Sequence, residues 1–347
     1  MFGVHSSDRE SLVTVVAPAR LHMGFIDLGG SLGRRFGSIG VGVNEIVTRL
    51  SIAPAEELQA EGPCAERAMK AARRFAENLG IHDRVAIRIH EAIPEHIGLG
   101  SGTQLALAVG AGLARYHGLD LSVRDIARTT GRGARSGIGI AVFEQGGLIL
   151  DGGRGPDTII PPVIARMEIP PEWRFILVFD ERGQGLHGRQ EIEAFKTLQP
   201  FPTSETARLC HLLLMRALPA LAEGDIVGFG AVITELQNSV GDYFAPAQGG
   251  RFTSPEVGEA LAWLGARGAV GLGQSSWGPT GFCLVESAAR ASRLIDSVCG
   301  RYAGLSFISA SARNRGADIL PAAGLPRRDD EPAGLQSLSR SRTHPTR

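Results

Sequence analysis

The sequence predicts an α+β protein of two domains, and three observations carry that expectation. Its 347 residues, 43% of them hydrophobic, can fill two ordinary cores. Stretches that are apolar at every second residue alternate with stretches at helical spacing. Two double prolines, Pro161-Pro162 and Pro170-Pro171, bracket a crossing in mid-chain, which sets the expected domains at 1–165 and 166–320. From Pro321 onward the chain is rich in proline, serine and arginine without periodicity, so 321–347 is expected to be a disordered tail.

Each element follows from its residues in turn. Val13 to Ala17 reads as a strand ending at Pro18, and the glycine-rich stretch from Gly24 to Gly42 as a loop or loose hairpin. Val43 to Ile52 resumes strand character. Apolar residues at 65, 68, 69, 72, 75, 76 and 79 predict a helix, and Val85 to Ile89 alternates as a half-buried strand does. Thr103 to Tyr116 is apolar almost all round and should be a buried helix, with Gly110, Ala111 and Gly112 allowing close approach of a neighbour. Ser122 followed by Asp125 is an approximate capping box. Leu148 to Leu150 returns as a strand. Beyond the crossing come a buried strand at Phe175 to Phe179, helices at Ser204–Leu221 and Asp225–Asn238, and a helix begun by Ser254 and Pro255. Strands at Gly281–Val285 and Leu305–Ile308 flank a helix at about 287–299.

Composition excludes several classes of function. With 36 basic and 36 acidic residues the net charge is zero, so no global field draws the chain to nucleic acid or membrane. No apolar run approaches the ~18 residues of a membrane span. Polar residues from His5 to Glu10 stand where a signal peptide would need an apolar segment, and a cytoplasmic address is expected. The four cysteines form no CxxC pair and read as buried thiols.

Chemistry concentrates at Ile97-Gly98-Leu99-Gly100-Ser101-Gly102-Thr103, between a strand and the buried helix. Glycines let backbone N–H groups close around an anion, and the helix adds its positive end. Ser101 and Thr103 offer hydroxyls for a phosphate or a metal ion. There is no GxxxxGK[ST], and the spacing is not that of a dinucleotide fingerprint. Taken alone, a glycine turn without a ligand is the competing reading.

Pro94 to Ser101, Pro-x-x-x-Gly-Leu-Gly-Ser, resembles the phosphate-binding motif of the GHMP superfamily. Ala17 to Gly24 resembles its N-terminal strand-loop motif and Gly271 to Thr280 its C-terminal glycine-rich motif, all in the right order. The resemblance implies a ribosomal S5 domain 2-like N-terminal domain and a ferredoxin-like C-terminal domain, with the site between them. Many GHMP kinases carry Ser-Gly-Ile-Asp followed in register by Gly-Gly; here Ser136-Gly137-Ile138-Gly139 leads to Gly146-Gly147, so glycine holds the aspartate's slot. A kinase relying on that aspartate would lose orders of magnitude in rate. A small-molecule kinase with another acid is the alternative function.

Four segments resemble one branch, the β-ribofuranosylaminobenzene 5′-phosphate synthases of methanopterin biosynthesis: Arg20 to Leu28, Gly98 to Gln104, Gly131 to Gly137, and Gly185-Leu186-His187-Gly188 with Glu191. That likeness implies condensation of phosphoribosyl pyrophosphate with 4-hydroxybenzoate or 4-aminobenzoate, with loss of CO₂ and pyrophosphate, no nucleotide cofactor, Mg²⁺, and a homodimer. It implies a phosphate set of Arg20, Gly98, Gly100, Ser101, Gly102, Thr103, Arg132 and Arg135. The last two arginines suit bidentate anion contacts or a solvated helix end equally. Asp27 or Glu144 would face a ribose with oxocarbenium character, though Glu144 suits a surface salt bridge as well. His22 or His187 would draw a proton from the para hydroxyl. Gln274, Ser275 and Trp277 would contact the aromatic ring, with core packing as the simpler account of Trp277. No metal ligand follows from the spacing.

Overall fold

The computed structural model describes residues 13–183, 185 and 189–321. The expected tail therefore lies outside the described residues except at its first position. β1 (Val13–Asp27) runs through Pro18, where a strand end was expected. Proline has no N–H to give, and the ladder to β2 (Gly37–Pro54) shifts register between Pro18 and Ala19, a bulge that absorbs the missing donor. Gly40, read as loop, lies inside β2 because the backbones approach closely there. A Cβ on it would stand 2.5 Å from the Leu21 carbonyl oxygen and 2.6 Å from Ile138.

β3 (Gln59–Glu61), α1 (Ala65–Leu79) and β4 (Val85–Glu91) lead to the glycine loop and α2 (Ser101–Tyr116). α3 (Val123–Thr129) carries the full Ser122–Asp125 capping box. α4 (Ile138–Glu144), β5 (Leu148–Asp151) and β6 (Val163–Met167) follow. The first sheet has the order β11-β1-β2-β4-β3, with β5 on the other end of the long β2 and β6 beyond it. β11 (Asp318–Pro321) returns from the far end of the chain to pair with β1, and β6 straddles the expected crossing at 165/166. α1 and α2 cover one face of this sheet, burying Ala68, Ala72 and Phe75 of α1 against Leu105, Val109 and Ala111 of α2.

The second sheet is antiparallel, in the order β10-β7-β9-β8: β7 (Arg174–Asp180), β8 (Val270–Gln274), β9 (Gly281–Val285) and β10 (Leu305–Ser311). Between β7 and β8 the chain makes α5 (Arg189–Thr197), α6 (Thr203–Leu212), α7 (Leu218–Ala222), α8 (Ile226–Gln248) and α9 (Pro255–Gly265). α10 (Ala288–Val298) precedes β10. The helix expected over Ser204–Leu221 is broken by a π-helical turn at Leu213–Ala217, just ahead of Pro219, which cannot donate back along the helix. α9 and α10 pack on one face of the second sheet. α8, which ends ten residues later than expected, fills its other face and reaches β1.

Of the cysteines only Cys283 is buried; Cys64 is half-buried and Cys210 and Cys299 are exposed, which corrects the expectation of buried thiols. The reason is local. Cys283 points inward from β9, whereas Cys210 and Cys299 lie on the outer turns of surface helices. Among the described residues no helix is long and apolar enough to cross a membrane.

Candidate active site

The glycine loop is held from both sheets. Gly98 and Gly100 have φ of +83° and +79°, a backbone shape that favours glycine. The Gly98 carbonyl oxygen accepts from Nη1 of Arg20 on β1 (2.6 Å) and from Oγ of Ser275 just after β8 (2.7 Å). A Cβ on Gly98 would lie 2.1 Å from the Ser275 carbonyl oxygen, so the two glycine motifs touch backbone to backbone. Among the described residues the N–H groups of Gly98 to Gly102 donate to no protein acceptor, and neither do the hydroxyls of Ser101 and Thr103. Five amides and two hydroxyls at the start of a 16-residue helix are an anion cradle.

Cations flank the cradle on both sides. Arg20 packs against Gly100, and burial draws its guanidinium down to about 10, a loss that Glu191 opposes. On the other side, a Cβ on Gly102 would stand 2.8 Å from Nη2 of Arg67 and 3.7 Å from Nη1 of Arg132. Arg132 is lowered by burial and then by the charges of Arg67 and Arg74, and its Nε is buried without an acceptor among the described residues. Arg67 pairs with Glu95, which also accepts from Cys64. Arg67 and Arg74 were not among the expected site residues. Their signal in the sequence is a spacing of seven, two turns along one face of α1.

Two residues beyond Arg20 on the same face of β1 stands His22, 3% exposed. Its backbone is fixed on both sides: N–H to Ser275 Oγ (3.0 Å), and C=O from Ser276 N–H (3.1 Å). Its ring lies 4.5 Å from that of Phe25, and its Nε2 is buried with no partner among the described residues. Burial, then the charge of Arg20, push its pKa down to about 3, so the imidazole is neutral at physiological pH. It borders a narrow cleft lined by Phe25, Gln237, Phe244, Gln274 and Trp277. The Phe244 and Trp277 rings are 4.2 Å apart, and Trp277 donates Nε1–H to Glu191 (2.9 Å). Gln237 of α8 ties the halves together, donating to the Met23 carbonyl (2.6 Å) and accepting from the Gln274 N–H (2.8 Å).

The remaining expected residues are placed otherwise. Arg135 is spent on Glu191 and lies over the Phe195 ring. Asp27 sits at the far end of β1, where Oδ1 accepts the Gly29 and Gly30 N–H groups of the turn (2.9 and 2.8 Å) and the Thr206 hydroxyl. Glu144 closes α4 and faces Arg124 at 3.6 Å; Gly139, in the first turn of that helix, is what meets Thr103. The structure thus does not bring Glu144 to the loop. His187 lies outside the described residues. Gln274 is largely engaged in holding the Thr253 N–H (2.7 Å). Asp151, overlooked in the sequence, is a buried carboxylate beneath the start of α4, accepting from Ser38, Ser136, Gly137 and Gly153; burial raises its pKa.

The family described as GHMP kinases N terminal domain matches residues 66–147, and GHMP kinases C terminal matches 217–304. A beta-ribofuranosylphenol 5′-phosphate synthase of Methanothermobacter thermautotrophicus is 34% identical over 325 residues, covering 87% of this chain and 97% of the relative. One from Archaeoglobus fulgidus is 34% identical over 322 residues with the same coverage. Among solved structures, Lactococcus lactis galactokinase complexed with galactose superimposes with a TM-score of 0.64 at 16% identity, over 89% of this chain and 95% of that one, a likeness of fold.

Proposed function

The chain belongs to the GHMP family and, within it, to the beta-ribofuranosylphenol 5′-phosphate synthases, and on that premise we propose that it condenses phosphoribosyl pyrophosphate with 4-hydroxybenzoate. A phenol in the relatives' name calls for a para hydroxyl on the acceptor, which favours this acid over 4-aminobenzoate. One observation carries the reading. A single strand face presents Arg20 to the glycine loop and, about 7 Å along it, His22 with an unpartnered ring nitrogen bordering an aromatic cleft. An amide-lined loop and an aromatic cleft are therefore neighbours, which supports a reaction between a pyrophosphate-bearing carbon and a benzene ring.

In this reaction the C1′–oxygen bond of the donor breaks and its electron pair leaves with pyrophosphate. The ring carbon bearing the carboxylate bonds to C1′, and the pair from the broken carbon–carboxylate bond restores the arene as CO₂ departs. The loop amides and Arg20 stabilise the leaving charge. Neutral His22 accepts a hydrogen bond from the para hydroxyl, raising electron density at the opposite ring carbon, and Phe244 and Trp277 supply the apolar walls. Its depressed basicity keeps the proton shared rather than captured. The free hydroxyls of Ser101 and Thr103 fit Mg²⁺, an oxygen-seeking ion that would be held by them together with substrate phosphates. An ion bound there would supply further neutralisation of the pyrophosphate.

Gly139 weighs against the kinase alternative, because the slot facing Thr103 holds no acid. The test is incubation with phosphoribosyl pyrophosphate, Mg²⁺ and carboxyl-labelled 4-hydroxybenzoate, following labelled CO₂ and pyrophosphate together. Release of both in equal amounts is expected. No CO₂ from 4-hydroxybenzoate, or ADP formation from ATP with a metabolite alcohol, would overturn the assignment.

A further inference from the structure

We infer that Arg67, Arg74 and Arg132 form a second anion subsite, on the side of α2 away from Arg20, that takes the 5′-phosphate of the ribosyl donor. The inference rests on the proposed reaction and goes beyond it by dividing the donor's two anionic ends between two sets of residues.

Three guanidinium groups converge where the chain has little reason of its own to gather them. The missing Cβ of Gly102 makes room for Arg67, with Nη1 of Arg132 3.7 Å from the same point, and that of Gly131 makes room for Arg74, whose Nη2 would lie 2.5 Å from such an atom. Glu95 neutralises Arg67. Arg74 and Arg132 form no ion pair and donate no side-chain hydrogen bond among the described residues, and the Nε of Arg132 is buried without an acceptor. Lys70 lies on the same stripe of α1, at i+3 from Arg67, with Arg74 at i+7. Like charges so placed repel one another, and burial adds to the strain on Arg132. A dianion removes both costs, and a guanidinium fork matches phosphate oxygens two at a time. The positive end of α2 points the same way.

The chemistry decides which anion belongs where. Pyrophosphate is attached to the carbon that must meet the arene, so it belongs on the side of the loop nearest Arg20, His22 and the aromatic cleft. The monophosphate hangs from the opposite end of the ribose and needs a separate cationic seat. Arg67 and Arg132 offer one on the other side of the first turn of α2, with Arg74 next to it at Gly131.

The experiment measures calorimetric binding of ribose 5-phosphate and, separately, of inorganic pyrophosphate to the full chain, to the double variant Arg74→Gln/Arg132→Gln, and to Arg20→Gln. The double variant should weaken ribose 5-phosphate at least tenfold and pyrophosphate less than threefold; Arg20→Gln should show the reverse preference. Arg74→Gln alone, at an exposed position, gives the same preference at smaller amplitude without risk to the fold. Equal weakening of both ligands, or unchanged affinity for ribose 5-phosphate, overturns the subsite. Labelled CO₂ release by the same wild-type preparation separates the two ideas. Turnover with an indifferent double variant sinks the subsite alone. Arginine-dependent binding of ribose 5-phosphate without turnover sinks the proposed reaction and leaves the subsite standing.

Discussion

Replacing His22 with glutamine should remove a specific acid sensitivity of the fold. In the native state His22 titrates at about 3, held down by burial and by Arg20, against 6.5 when unfolded. The unfolded chain therefore binds the proton more readily, so stability is complete above pH 6.5 and is lost as pH falls from there toward 3. Between pH 7 and pH 5 the linkage amounts to roughly 1.4 kcal/mol per unit over about 1.5 units, or about 2 kcal/mol. Urea unfolding of wild type and of His22→Gln at both pH values gives the answer as a difference of differences, so any constant cost of the substitution cancels. Wild type should lose about 2 kcal/mol more than the variant on acidification. Equal losses would refute the reasoning, as would a His22 ring-proton resonance that titrates between pH 7.5 and 5.

Two further substitutions probe the closure of the site. Ser275→Ala removes the hydroxyl that donates to the Gly98 carbonyl and accepts the buried His22 N–H; an orphaned buried donor should lower unfolding free energy by roughly 1–3 kcal/mol, with a raised KM for the donor in steady-state assays. Gly139→Asp restores an acid to the slot facing Thr103. One extra negative charge near the bound pyrophosphate should weaken the donor about tenfold, with no gain of ADP formation from ATP, and turnover kinetics with each substrate check both halves.

The glycine loop, the buried helix behind it and the capping box of α3 were legible because each is a local device. Positive-φ glycines, an all-round apolar helix and a Ser-x-x-Asp cap depend on residues close together in the chain. The extent of β1 and β2 was less legible. Pro18 and the run of glycines from 37 to 42 read as breaks, yet a bulge and the close approach of Leu21 and Ile138 make them parts of long strands.

The candidate site divides along the same line. By itself the sequence determined the family, the phosphate loop and the motifs that carry Arg20, His22, Ser275 and Trp277, because those motifs are contiguous. Only the tertiary structure decided what surrounds each one. It gave Asp27 to a turn, Glu144 to Arg124 and Arg135 to Glu191, and it brought Arg67 of α1 to the start of α2 and Arg74 against Gly131, beside Arg132. Ion pairing, desolvation and the empty space left by a missing Cβ are relations between atoms far apart in sequence. The neutral state of His22 is of the same kind, since it arises from burial beneath Ser275, Phe25 and Arg20 once the two sheets have closed on the loop.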